Sequence, residues 1–142
     1  MASHYDDSKK CRVGTMGEPQ FQAESDPDNG IYFRDLIAAW QKAGGGLKWG
    51  AGGVSLRGPV DGKDVSVCFL APKFAGKQDR IELACTTLTK QIGVTRASGL
   101  DDALRAAAGD HVLGKTMISV VRPGVLSPAK QKALTRAFLD LL

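Results

Sequence analysis

The chain has 142 residues, of which 43% are hydrophobic and 24% are charged, a composition typical of one soluble globular domain. Its mean hydropathy of -0.13 and the lack of an apolar run of about 20 residues argue against a membrane-spanning protein. The first residues also lack the basic and apolar segments of a secretory signal. We therefore expect a cytoplasmic protein without membrane contact.

Charge is distributed unevenly along the chain. The formal net charge is +4, yet residues 1–30 contain only three Lys or Arg against six Asp or Glu. This segment is also poor in large apolar side chains, so it buries too little surface to offset the entropy lost on folding. We predict a flexible, weakly acidic arm over 1–30, with a short docked strand anchored by Phe21 as the alternative. One moderately basic domain over 31–142 follows.

The first predicted helix covers residues 31–43. Apolar side chains recur there at spacings of three and four, as on a helix that packs one face against a core. The stripe consists of Phe33, Leu36, Ile37, Trp40 and Ala43. Three successive glycines at 44–46 predict its end, because glycine adopts the left-handed conformation that closes a helix.

Three short strands are predicted next, over residues 47–49, 54–57 and 64–70. Polar and apolar side chains alternate in them, and glycine-rich turns at 50–53 and 58–62 separate them. Such a pattern is typical of an antiparallel meander. The third strand is the most apolar, so we expect it near the centre of the sheet.

Helical spacing returns after Pro72. Apolar residues between Ile81 and Ile92 predict a helix with Asp79 as its N-cap and Gly93 at its end. The remaining predicted elements are a helix over 100–108, a strand over 115–121 and a final helix from the Ser127 cap and Pro128 to the C-terminus. The threonines at 86, 87 and 89 favour strand and oppose the first of these helices.

The predicted element order is α-β-β-β-α-α-β-α. Successive strands followed by successive helices indicate an α+β fold, with a mostly antiparallel sheet of about four strands and helices packed on one face. A doubly wound α/β fold would need more alternation of strands and helices.

Residues 109–116 match the phosphate-loop pattern G-x-x-x-x-G-K-T letter for letter. That loop binds phosphate only when a strand precedes it and a helix follows, because the amides and the helix N-terminus must converge. Here we predict the reverse order. The sequence therefore favours a helix end at Gly109 and a strand start after Gly114 over nucleotide hydrolysis.

No other motif identifies a reaction, a metal site or a cofactor. The cysteines at positions 11, 68 and 85 are too far apart for a redox pair or metal cluster, and the chain has only two histidines. Wide cysteine spacing also fits a reducing compartment. Aspartates 101 and 102 lie in a predicted first helical turn, where the helix dipole explains them.

We therefore predict a non-catalytic binding or regulatory domain that engages another macromolecule, a protein partner or a second copy, through a basic surface. The predicted contact residues are Lys48, Trp49 and Arg57, because they flank the glycine turn at 50–53. The first alternative is a small enzyme or ligand-binding protein with a pocket near Arg57, His111 and either Cys68 or Cys85.

The second alternative is weak nucleic-acid binding, in which cations contact phosphates and aromatic rings stack on bases. The residues that fit this reading lie between positions 42 and 80: Lys42, Lys48, Arg57, Lys63, Lys73, Lys77 and Arg80, with Trp49, Phe69 and Phe74. Their charge is modest for a dedicated nucleic-acid binder.

Overall fold

The computed structural model describes the backbone of residues 4–6 and 11–142 and the side chains from residue 14 onward. The helices are α1 (Glu18–Glu24), α2 (Pro27–Lys42), α3 (Cys85–Ile92), α4 (Val94–Ala108) and α5 (Pro128–Leu139). The strands are β1 (His4–Asp6), β2 (Cys11–Val13), β3 (Gly46–Trp49), β4 (Val54–Val60), β5 (Lys63–Ala71), β6 (Arg80–Ala84), β7 (Val112–Leu113) and β8 (Met117–Val121). Two 3-10 turns cover Gly109–His111 and Pro123–Val125.

Six strands form one antiparallel sheet in the order β3-β4-β5-β6-β8-β7, and β1 and β2 pair separately. The predicted α+β class is confirmed, whereas the sheet has six strands rather than about four. The predicted central position of the most apolar strand is also confirmed, because β5 lies between β4 and β6.

Alternation along the strands divides the sheet into two faces. One set of side chains is buried with the apolar stripes of α2, α4 and α5 in the main core. Its strand members include Val54, Leu56, Val60, Val65, Cys68, Leu70, Ile81, Leu83, Val112, Ile118 and Val120. Most side chains on the opposite side are half-buried or exposed. We call that side the open face.

Helix α2 is fastened to the sheet by Trp40, which is fully buried. Its indole Nε1 donates to the carbonyls of Gly46 (3.1 Å) and Arg57 (2.9 Å), one on each strand of the β3–β4 hairpin. The helix ends as predicted: the Gly44 and Gly45 amides donate to the carbonyls of Gln41 and Trp40, which is the Schellman pattern.

The N-terminal boundary of α2 differs from the prediction. The helix begins at Pro27 rather than residue 31, because proline fits the first helical turn, where its missing N–H leaves no hydrogen bond unmade. The preceding Asp26 amide is held by the carboxylate of Asp79 at 2.8 Å.

The segment predicted as an arm contributes to the core. Residues 18–24 form helix α1, not the alternative docked strand, and Met16 and Phe21 are fully buried. The Phe21 ring lies 5.4 Å from that of Phe33. These two buried side chains thus attach a segment of otherwise polar composition to the core. The parts of the predicted arm at 1–3 and 7–10 lie outside the described residues.

The predicted helix from residue 79 is wrong in its first half. Ile81 and Leu83 alternate along strand β6, where they pair with Val120 and Ile118 of β8. The chain passes from Ala84 directly into α3, so the two periodicities merge in the sequence. Asp79 is a buried hydrogen-bond acceptor rather than an N-cap.

Three further boundaries differ. Helix α4 begins at Val94 instead of residue 100, and Gly99 lies within it. The second predicted turn shrinks to Asp61 and Gly62, whose positive φ angles of 52° and 79° fit a two-residue hairpin turn. The predicted strand over 115–121 begins at Met117 and pairs with the short β7. The final helix is confirmed, with the Ser127 hydroxyl accepting from the Lys130 amide.

Candidate functional site

The open face carries a row of side chains that crosses all six strands. Cross-strand pairing places them side by side, so the row mixes cationic, hydroxyl, aromatic, acidic and aliphatic groups. In order they are Lys48, Ser55, Phe69, Glu82, Ser119 and Leu113. Two shorter rows flank it, one with Ala71, Arg80 and Val121 and the other with Gly46, Arg57 and Ser66.

A cavity of about 360 Å³ lies on this face beside strands β6, β8 and β7. Lys77, Arg80 and Glu82 supply its charged groups, while Leu113 and Met117 supply apolar walls. Leu113 is 54% exposed and Met117 is 52% exposed, although both are large and apolar. The two side chains therefore form one apolar wall beside the charged groups of the cavity.

A second cavity, of about 250 Å³, adjoins the first. The two share Glu82 and Met117, and Phe69 and Leu88 also line the second one. Leu88 belongs to α3, which therefore bounds the open face at the end of β6.

Arg80 is the most enclosed cation on the open face, with 13% of its side chain exposed. Its Nη2 lies 3.4 Å from Glu82 Oε1, and its Nη1 donates to the Gln78 carbonyl at 3.2 Å. Its buried Nε has no acceptor among the residues that the structure describes. Glu82 therefore compensates the charge of the guanidinium only at long distance, and the hydrogen bonding of the guanidinium is incomplete.

Of the predicted contact residues, Lys48 and Arg57 share the open face and Trp49 does not. Lys48 is exposed, and Arg57 pairs with Asp64 at 3.0 Å. Trp49 pairs with the buried Val54 and packs edge-on against Phe21, with 5.6 Å between the ring centroids. The three residues are close in the sequence, but successive side chains of a strand point to opposite faces, so Trp49 is separated from Lys48 and Arg57.

The residues of the alternative pocket are not brought together. Arg57 lies on β4, whereas His111 donates from Nδ1 to the Val121 carbonyl of β8 at 2.9 Å. Strands β5 and β6 lie between, so three strand spacings of about 5 Å each separate these positions across the sheet.

The two cysteine side chains that the structure describes are poor nucleophiles. Burial raises the pKa of the Cys68 thiol, which is 4% exposed and lies on the core side. Burial is also the main cause of the raised pKa of Cys85, and the Asp101 carboxylate raises it further. A raised pKa keeps each thiol protonated at neutral pH.

The loop that matches the phosphate-loop pattern has the predicted surroundings. Helix α4 precedes it and strand β8 follows it, so the element order predicted around Lys115 is confirmed. The Gly114 carbonyl accepts a hydrogen bond from Arg105, and the Thr116 carbonyl accepts one from the Cys85 amide. The loop connects the paired strands β7 and β8, so it is the turn of a hairpin.

A surface groove of about 890 Å³ lies between α2 and α5. Tyr32 and Thr135 line it, and their hydroxyls are 3.1 Å apart. Its other walls include the small side chains of Ala39, Ala129 and Ala133. Sequence reasoning missed this groove because it depends on how two helices cross.

Among the described residues, no group of three or more His, Cys, Asp or Glu side chains is arranged to hold a metal ion. Comparison with protein-family models, curated proteins and solved structures found no match for this chain. None of the described helices has both the length and the apolar character that crossing a membrane requires.

Proposed function

We propose that this chain is a non-catalytic binding domain whose open face engages a protein partner, with a second copy of the chain as one form of that partner. Lys48 and Arg57 are the proposed contact cations. The observation that supports the proposal is the mixed row of exposed and half-buried side chains across the sheet. We place the domain in the cytoplasm, in keeping with its wide cysteine spacing.

The composition of the open face favours a protein over a nucleic acid. Protein interfaces are enriched in aromatic residues and Arg, and Phe69 and Arg57 supply these types on the open face. Two of the cations are already paired, Arg57 with Asp64 and Arg80 with Glu82. A phosphate backbone would require more unpaired cations.

The arrangement of nucleophiles and bases favours binding over catalysis. Neither cysteine described above is near an activating histidine: Cys68 faces the core, and the cavity beside Cys85 is lined by threonines and lysines. His111 uses one ring nitrogen to hold the Val121 carbonyl. Nucleophilic catalysis needs such a base within hydrogen-bonding reach of the nucleophile.

The test compares Lys48→Glu/Arg57→Glu with wild type in two measurements, capture of proteins from a native extract and sedimentation velocity of the purified chain. Lys90→Glu/Lys130→Glu is the matched control, because it makes the same charge change at exposed helix positions. We expect a partner or self-association that the control retains and the open-face variant loses. Equal binding by both variants would contradict the proposal.

Salt dependence tests the nucleic-acid alternative. Binding of labelled single-stranded DNA or RNA that weakens steeply with salt, and that Lys48→Glu/Arg57→Glu abolishes, would assign the open face to nucleic acid. We expect no such binding. Urea unfolding of each variant checks that the fold is retained.

A further inference from the structure

We propose that the cavity beside Arg80 binds a small amphiphilic carboxylate, an organic monoanion whose apolar body lies against Leu113 and Met117. This site goes beyond the proposed protein contact, because it lies on β6, β8 and β7 rather than around Lys48 and Arg57.

The incomplete hydrogen bonding of Arg80 indicates an anionic oxygen. Its contacts to Glu82 and Gln78, at 3.4 and 3.2 Å, are long for charge-assisted bonds, which are typically about 2.7–2.9 Å. Its Nε–H is buried without an acceptor among the described residues. Because solvent does not reach this Nε–H, a carboxylate in the cavity contacts the exposed 13% of the Arg80 side chain rather than Nε. A planar carboxylate matches the guanidinium fork.

The charges that line the cavity indicate a ligand with a single negative charge. Lys77 and Arg80 contribute two positive charges, and Glu82 contributes one negative charge at the same cavity. A monoanion balances the remaining positive charge, whereas a dianion such as a phosphate monoester would leave the cavity with a net negative charge.

The apolar walls indicate that the rest of the ligand is apolar. Leu113 and Met117 are among the most exposed large hydrophobic residues that the structure describes, and both line this cavity. Covering them removes apolar surface from water. The volume of about 360 Å³ is near the lower end of ligand pockets, and the adjoining cavity of about 250 Å³ extends it for a longer body.

Octanoate is the probe, because it has one carboxylate and an apolar chain. Acetate, with the charge but little apolar body, and octanol, with the body but no charge, are the comparison compounds. Nuclear magnetic resonance of the isotope-labelled full chain follows the Arg80 Nε–H and the Met117 methyl group. We expect octanoate to shift both signals saturably, with acetate and octanol at least about ten-fold weaker. No saturable shift, or equal binding of octanol, would overturn the proposal.

Arg80→Gln tests the role of the guanidinium, with Arg57→Gln as the control arginine on the same face. We expect octanoate binding to weaken at least about ten-fold in the first variant and to persist in the second. Lys77→Gln and Leu113→Ser change exposed side chains and keep the test decisive if Arg80→Gln unfolds. Unchanged affinity in both would overturn the assignment.

Lys48→Glu/Arg57→Glu should retain octanoate binding, which separates this site from the proposed protein contact.

Discussion

Asp79 is a buried acceptor that joins three separate parts of the chain. One carboxylate oxygen accepts from the Asp26 amide at 2.8 Å and from the Asn29 side chain at 2.9 Å, and the other accepts from the Lys73 amide at 2.7 Å. Its own carbonyl accepts from the Arg122 amide at 2.9 Å. The start of α2, the segment before β6 and the end of β8 therefore meet at one residue.

Asp79→Ala is expected to destabilise the fold by about 3 kcal/mol, because it leaves two amides and a side-chain donor without their acceptor. Urea unfolding measures the change. Asp110→Ala removes an exposed carboxylate and is the control, with an expected effect within about 0.5 kcal/mol. Equal effects of the two substitutions would refute the stabilising role of Asp79.

Ala75 adopts a left-handed conformation that alanine disfavours, with φ of 51° beside Gly76 at 84°. The two residues form the tip of a hairpin closed by Phe74 and Lys77, whose amides and carbonyls exchange bonds of 3.0 and 3.1 Å. Ala75→Asn should stabilise the protein by about 0.5–1 kcal/mol, because asparagine tolerates this conformation better.

Gly76→Ala is the opposite substitution in the same turn. No atom lies within 4 Å of an added Cβ, so only the backbone conformation is strained. Thermal unfolding should rank Ala75→Asn above wild type and wild type above Gly76→Ala. A reversed order would show that the turn does not require left-handed residues.

At the level of elements, the junction of α2 with the β3–β4 hairpin depends on glycine. A Cβ at Gly45 would lie 2.2 Å from Trp40 Nε1, and one at Gly58 would lie 3.2 Å from the same ring. The absence of side chains there lets the indole reach both strand carbonyls. These glycines are packing requirements as well as turn signals.

Gly45→Ala is expected to destabilise the fold by about 3 kcal/mol, because it displaces the Trp40 ring and breaks its two hydrogen bonds. Chemical unfolding measures this, and near-ultraviolet circular dichroism reports the displaced indole. Gly99→Ala is the control within α4. Its Cβ would meet open space, so we expect stabilisation by about 0.5–1 kcal/mol. Stabilisation by both substitutions would contradict the requirement for glycine beside the Trp40 ring.

Sequence patterns predicted elements that have long, regular apolar stripes and failed where periods overlap or anchors are few. Helices α2 and α5 have such stripes. Strand β6 runs into α3 without a breaking residue, so Ile81 and Leu88 fit one helical pattern. Helix α1 buries only Phe21, and a single anchor gives no periodicity. Tertiary packing decides both cases.

The candidate ligand site had no local sequence signal. Arg80, Leu113 and Met117 come from three strands, of which β6 was predicted as helix and β7 was not predicted. Their proximity depends on the pairing of β8 with both neighbours. Lys48 and Arg57 were accessible to sequence reasoning because a single hairpin joins them.

The stability of the whole molecule should decrease in alkali. Burial raises the pKa of Tyr32 above its ordinary value of 10.0 and that of Cys68 above 9.0. The folded state therefore keeps both protons where the unfolded chain releases them. Above about pH 9 for Cys68, and above about pH 10 for Tyr32, the free energy of unfolding should fall by up to about 1.4 kcal/mol per pH unit for each group.

Urea titrations from about pH 8 to about pH 10.5 test this dependence. Cys68→Ala should reduce the slope that begins near the ordinary thiol pKa, although it also leaves a small cavity. Comparison therefore uses the slope with pH rather than the absolute stability. A wild-type stability that does not change over this interval would contradict the buried, protonated state of Cys68.

Asn29 connects regions that are distant along the chain, because its side-chain Nδ2 donates to the Asp79 carboxylate and its Oδ1 accepts from the Gly124 amide, ninety-five positions away. A chain leaving the ribosome can pair β4 with β5 early, since a two-residue turn joins them. Asn29 gains its last partner only after residue 124 has been synthesised. During synthesis, helix α2 therefore lacks its contacts with the segment that contains Gly124 until that segment has left the ribosome.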